Sequence, residues 1–219
     1  MLAIECSQRS ASVAVGIDGG FAEMESVQSD RRSDDDLLPA IDRLLSRLQM
    51  KPTDLTATAV SVGPGGFTGL RIAVAVTKML GLSLGVQLVA VPSALVAVQS
   101  LSVAGPILVA LACKGDTFWA TRLDLQSIDW TCLDKGELVS AETVNLAGLK
   151  CLVADSYLPQ SLRTEAALQC LDVVEPRLDA SNCLLAGQKM LLNGQTVTPD
   201  QLQPLYPREA EAVRLFKNG

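Results

Sequence analysis

The chain has no histidine. That absence removes Ser-His and Cys-His catalytic pairs, HExxH zinc sites and any imidazole base. Catalysis would have to rest on carboxylates, lysine, cysteine or backbone amides, and a non-catalytic role is the simpler expectation. Basic runs are also missing. The longest is the pair Arg31–Arg32, and the net charge is −6. A protein that grips nucleic acid on its own carries a basic stripe, so no autonomous RNA or DNA binding is expected. None of the six cysteines, at 6, 113, 132, 151, 170 and 183, forms a C-x-x-C pair, which excludes a zinc ribbon. No basic segment opens the chain and an acid stands at Glu5, so no signal peptide is read. The cysteines are then expected as buried free thiols in a reducing cytoplasm. Charge is absent between Lys78 and Lys114, a stretch long enough for a membrane span. Pro92, Gly105 and Pro106 punctuate it, and Gln87, Gln99 and several serines interrupt it, so no membrane segment is expected.

Hydrophobic residues make up 48% of the 219, and a chain of this size buries roughly 70% of its unfolded surface. The opening reads as an antiparallel meander. "LAIEC" (2–6), "SVAVGI" (12–17) and "FAEMES" (21–26) are short strands, with the turn signal Asp18-Gly19-Gly20 between the last two. Leu37, Leu38, Ile41, Leu44, Leu45 and Leu48 recur at helical spacing, which predicts a helix over about 36–49. Ser33 or one of Asp34, Asp35 and Asp36 can cap it, and Pro39 should delay its start or kink it. The strand "ATAVSV" (57–62) follows, then a helix over about 68–84, a strand at 87–91, a helix over 93–102 and a strand at 106–112. Uncharged strands of this kind suit a sheet covered on both faces, and strands followed by alternating helix and strand give an α/β layer fold.

Between the fourth strand and its helix lies "SVGPGGFTGLR" (61–71), with Gly63, Pro64, Gly65, Gly66 and Gly69 in one turn. A P-loop requires G-x-x-x-x-G-K-[ST], and the dinucleotide fingerprint requires G-x-G-x-x-G. Both fail at Thr68. Two readings of the turn remain: exposed amides at a helix N-terminus that hold an anion, or glycines that permit positive φ and close helix–strand contact.

"GPGGFTGLRIAVAVTKMLG" (63–81) closely resembles the signature of the TsaB family, formerly YeaZ, which serves tRNA threonylcarbamoyladenosine biosynthesis. The family pattern is G-P-G-S-F-T-G-L-R-I-G. Gly66 stands for its serine and Ala73 for its glycine. "LAIECS" is similar to the family's "LaiDTS", with Glu5 for aspartate. "RRSDDDLLPAIDRLL" (31–45), "QLVAVPSALVAV" (87–98) and "LQPLYPREAEAVRL" (202–215) also fit in order. The likeness is strong over 1–98 and thin over about 120–195. At "LACKGDTFW" (111–119), Leu111 and Cys113 fall where the family often carries aspartate and arginine, with Asp116 and Phe118 in the later slots.

The resemblance implies an α/β, actin-like ATPase (RNase H-like) fold of two subdomains, 1–104 and 105–219, each with a mixed five-stranded sheet and flanking helices. It implies a cytoplasmic, non-catalytic scaffold that activates TsaD. TsaD is the metal-binding relative that transfers threonylcarbamoyl to the adenosine beside the anticodon of tRNAs reading ANN codons. Implied partners are a TsaD-like protein, a TsaE-like ATPase and a second copy of the chain, with tRNA met only through the complex. No cofactor of its own is implied, since ATP and metal belong to the partner subunits. The alternative is a nucleotide-binding ATPase or kinase-like enzyme using Glu5 and the glycine turn. An old family label, glycoprotease, is untenable as a histidine-ligated zinc enzyme. The implied partner face comprises Leu37, Leu38, Ile41 and Leu45 on the first helix. On the second it comprises Phe67, Thr68, Arg71, Ile72, Ala75, Lys78 and Met79. The first helix has one more leucine than a core-facing seam needs, and the second is rich in small residues that let helices approach. The glycine turn itself is expected to be architectural. No lysine follows it, Pro64 lacks an amide, and Phe67 as an apolar plug and Thr68 as a cap would seat the helix.

Overall fold

A computed structural model describes residues 1–8, 10–28, 36–113, 115–126 and 129–207. The chain divides into two compact units. The first is Met1–Leu101 together with Arg177–Leu205, and the second is Ser102–Pro176 with the described residues from Tyr206. Residues 177–205 therefore return to the first unit, where the sequence reading had placed all of 105–219 in the second.

In the first unit, β1 (Leu2–Glu5), β2 (Ser12–Ile17) and β3 (Gly20–Ser26) form the expected meander. Asp18 and Gly19 take positive φ in the turn between β2 and β3. β4 (Ala57–Gly63) pairs parallel to β1, and β5 (Gln87–Pro92) pairs parallel to β4, for an order β3-β2-β1-β4-β5. Alternation then decides which helix covers which face. Leu2, Ile4, Val13, Val15, Val60, Val62 and Leu88 join one core with the buried residues of α1 (Leu37–Arg47) and α2 (Phe67–Leu84). The opposite face meets α5 (Ala180–Leu192), where Gly187 lies against Ala59 and Val91. The short α3 (Ser93–Val98), ending before the predicted 102, packs on α5.

The start of α1 departs from expectation. Ser33, Asp34 and Asp35 lie outside the described residues. Asp36 occupies the N-cap position but makes no side-chain cap bond. Its carboxylate accepts instead from Arg43 (2.9 and 3.0 Å) and from the Gln28 amide (2.7 Å). Arg43 also reaches Glu25 (2.9 Å), and Arg47 reaches Glu23 and Glu25 (both 2.7 Å), so the helix is tied to β3. Pro39 does not delay the helix, which begins at Leu37, because a proline in the first turn loses an amide that had no helical partner anyway.

The second unit repeats this order. β6 (Gly105–Ala112) pairs antiparallel to β7 (Thr117–Gln126) and parallel to β10 (Cys151–Ala154), and β10 pairs parallel to β11 (Asp172–Val174). The place beyond β7 is shared by β8 (Asp129–Cys132) and β9 (Glu137–Ser140), which pair with opposite ends of β7. Among the described residues the sheet thus has six strands, not five. Asp134 explains the division. Its carboxylate accepts the amides of Arg122 (3.1 Å) and Gly136 (2.9 Å), so a side chain replaces a rung of the ladder between β8 and β9. α4 (Gln160–Leu168) covers one face through Leu162 and Ala166. All six cysteines are free, but only Cys6, Cys151 and Cys183 are buried, and Cys132 and Cys170 are exposed.

A chain cut after residue 176 would lose α5 and uncover an apolar sheet face, which costs the main folding force of that unit. Circular dichroism of this truncation should show no cooperative melting transition for the first unit.

Candidate functional site

Glycines at the start of α2 bring it against the end of β1. A Cβ on Gly65 would strike the carbonyl, Cα and Cβ of Ser7, and one on Gly69 would strike the carbonyl of Cys6. Gly63 has φ +109°, a region that L side chains rarely adopt. The Gly66 amide donates to the Ser7 carbonyl (2.7 Å), and the Gly66 carbonyl accepts from Leu70 (3.1 Å), opening the helix. Two expected details are corrected. The N-cap is Gly66, with no side-chain cap, so Thr68 does not cap the helix. Phe67 is no buried plug: it is 54% exposed, with the Arg71 guanidinium 3.9 Å above its ring. A cleft of about 570 Å³ beside this turn is lined by Ser7, Ala11, Leu37, Phe67, Gly69 and Ile72 among others.

Behind the turn stands Glu5, fully buried at the end of β1. One oxygen accepts the Ser7 amide at 2.6 Å, and the other has no hydrogen-bond partner among the described residues. Burial raises its pKa, the neighbouring Ser7 and Ser61 pull the other way, and the Asp179 carboxylate adds to the rise. The hydroxyls of Ser61 and Ser93, also buried, pair at 2.9 Å. Burial pushes the Cys6 thiol up to about 12, helped by Glu5, and raises Cys183; neither is a poised nucleophile. Among the described residues no group of three or more Cys, Asp or Glu is placed to hold a metal ion.

The implied partner face divides by burial. Leu37, Ile41 and Leu45 are 1%, 6% and 2% exposed and belong to the core, so they cannot present a surface. Leu38, one position off that seam, is 48% exposed. Thr68, Arg71, Ala75 and Met79 are exposed and Ile72 and Lys78 are half-buried. Phe67, Arg71, Ala75 and Met79 recur every four residues, and Leu82, 75% exposed, extends the stripe. Leu82 was missed because α2 is apolar almost all round, which blurs its periodicity. By length and composition alone α2 could cross a membrane, yet its inner side packs on β4 and β5.

The order β3-β2-β1-β4-β5 and its repetition in the second unit define an α/β protein with an actin-like fold. A crystal structure of a Pseudomonas aeruginosa protein described as similar to peptidase YEAZ shares the fold. It superposes with a TM-score of 0.78 at 22% identity, covering 94% of this chain and 98% of that one. The family model described as TsaD, tRNA N6-adenosine threonylcarbamoyltransferase, matches residues 26–122. The tRNA threonylcarbamoyladenosine biosynthesis protein TsaB of Escherichia coli K12 is 26% identical, over 95% of this chain and 94% of that protein. TsaB of Bacillus subtilis 168 is 43% identical over 56 residues, 26% of this chain and 24% of that protein. Over most of its length the chain is thus similar to TsaB and YeaZ proteins.

Gly65→Val should destabilise the first unit by about 1–3 kcal/mol, because the turn cannot yield without moving β1 or α2; thermal or urea melts check this. Glu5→Gln should change the pH dependence of stability. Glu5 binds its proton more tightly folded than unfolded, so the wild type loses stability as pH rises from its ordinary value toward its raised one. Melts across pH 4 to 9 should show the variant gaining on the wild type toward the alkaline end.

Proposed function

We propose that this protein works in tRNA threonylcarbamoyladenosine biosynthesis as a non-catalytic cytoplasmic subunit. In this reading it docks on a TsaD-like protein and activates threonylcarbamoyl transfer to the adenosine beside the anticodon of tRNAs reading ANN codons. The likeness to TsaB proteins supports the pathway. The observation that carries the docking role is the exposed stripe Phe67–Arg71–Ala75–Met79–Leu82 on α2, with Leu38 on α1. Both helices lie on the same sheet face, and α2 is an 18-residue helix with few charges. Such a face fits a helical partner, with Ala75 allowing close approach between larger residues. A TsaE-like ATPase joins the same assembly, tRNA is met only through it, and in the absence of TsaD a second copy of this chain takes the face.

No nucleotide or metal of its own belongs to this reading. Supporting it, Glu5 is sealed from solvent and raised in pKa, Pro64 lacks an amide, and no lysine lies in the turn or the first two turns of α2. The kinase-like alternative draws on the cleft at the N-terminus of α2. Calorimetry with ATP, with and without Mg²⁺, separates the two: no binding heat is expected, and micromolar affinity lost in Gly65→Val would reinstate the enzyme.

Leu38→Arg and Ala75→Arg place a charge on the exposed face without touching the core. Each should weaken binding to the TsaD-family protein of the same organism at least tenfold (about 1.4 kcal/mol) while melting normally. Unchanged binding by both variants would move the interface elsewhere.

A further inference from the structure

In the family pattern the first strand ends in an aspartate, and here a glutamate fills that place. We propose that Glu5 is a positioning residue for the docking helix, acting as a hydrogen-bond acceptor that sets the N-terminus of α2 through the Ser7 peptide. The inference rests on the docking role assigned above to α2.

The chain of contacts is short and continuous. The Glu5 Oε1 atom accepts from the Ser7 amide at 2.6 Å, two residues on. That bond fixes the plane of the loop leaving β1. The Ser7 carbonyl then accepts from the Gly66 amide at 2.7 Å, and Gly66 is the N-cap of α2. The Gly66 carbonyl accepts from Leu70, whose side chain is 1% exposed and locks the first turn into the core. Gly65 rests on Ser7 and Gly69 on Cys6, so a shift of the loop displaces the helix directly. Phe67, Arg71 and Ala75 follow within the next three turns of that helix.

An acceptor is needed here, and a charge is not. Among the described residues no cation partners Glu5, its second oxygen has no hydrogen-bond partner, and the ionisable groups around it are Asp179, Cys6 and Cys183. None of these three would stabilise a carboxylate, and burial outweighs what Ser7 and Ser61 offer it. The glutamate side chain folds back on the amide two residues ahead, the same local contact that Asp and Asn side chains make with their own backbone. A carboxylate serving metal or phosphate chemistry would instead need its charge, so the two roles predict opposite behaviour for an amide replacement.

The test compares wild type, Glu5→Gln and Glu5→Met. Gln keeps the acceptor and removes the charge, whereas Met keeps the length and removes both. Affinity for the TsaD-family protein of the same organism is measured by calorimetry at 10 °C on protein shown folded by circular dichroism. Amide hydrogen exchange is followed in parallel. Glu5→Gln should bind within threefold of wild type. Glu5→Met should bind at least tenfold more weakly, with faster exchange at 66–70 and unchanged exchange at 77–84. A simple loss of stability would not confine the change to one end of the helix. Wild-type-like binding by Glu5→Met overturns the inference, as does equal loss in both variants. If Glu5→Met does not fold, exchange in wild type and Glu5→Gln decides. Equal protection of the Ser7 and Gly66 amides in both proteins supports the chain of contacts, and Gly66 exchanging much faster than Ser7 overturns it. A wild type that does not bind the partner overturns the docking role, and the exchange comparison still decides the role of Glu5.

Discussion

The first unit depends on a contact between backbones. The opening turn of α2 lies so close to the end of β1 that neither Gly65 nor Gly69 could carry a Cβ. Side chains cannot fill a gap of this kind, so the spacing of helix and strand is set by peptide geometry rather than by packing choice. The Ser7–Gly66 hydrogen bond works at the same place and satisfies an amide that the helix leaves free. The glycine turn is therefore bound up with the molecule's own architecture, and a phosphate would have to compete with Ser7 for its amides.

Once α2 is held there, the rest of its length is committed. Its inner residues, Leu70, Ala73, Val74, Thr77 and Leu80, enter the core with α1 and the even-numbered side of β1, β4 and β5. Thr77 buries its hydroxyl by donating to the Ala73 carbonyl at 2.8 Å, so even the polar residue of that seam is satisfied within the helix. The outer residues have no such cover. Ala75, Met79 and Leu82 stay exposed along one helix, and a contiguous apolar row of this kind is what the proposed docking would cover.

Much of this was legible. The meander, the glycine turn and the alternation of strand and helix follow from residue spacing and turn chemistry, and they appear where expected. The position of the turn was readable because Gly63–Gly69 carries a sterically specific pattern, whereas its Phe67 plug and Thr68 cap were not, since burial and capping there depend on neighbours far along the chain. Other features depend on long-range packing that local sequence does not encode. Nothing in "ASNCLLAGQKMLL" says which sheet α5 will cover, and it crosses back to the first unit. The apolar seam of α1 identified a buried face but suggested a docking one, and only burial separates Leu38 from Leu37, Ile41 and Leu45. The division of β8 from β9 turns on one carboxylate, Asp134, bonding amides on two segments, and no periodicity announces it.

Glu5 closes the end of β1 from within the chain itself. In open α/β sheets the carboxyl ends of parallel strands are where ligands gather. Here those ends are filled from within. Glu5 closes on the Ser7 amide, Ser61 pairs with Ser93, and both serines and the glutamate are fully buried. An acid in that setting favours its neutral form, because desolvation outweighs what the surrounding dipoles return. The same burial that disfavours a charged ligand makes the strand end rigid. A rigid strand end, tied through Ser7 to the first turn of α2, would hold that helix in place for the docking role proposed for it.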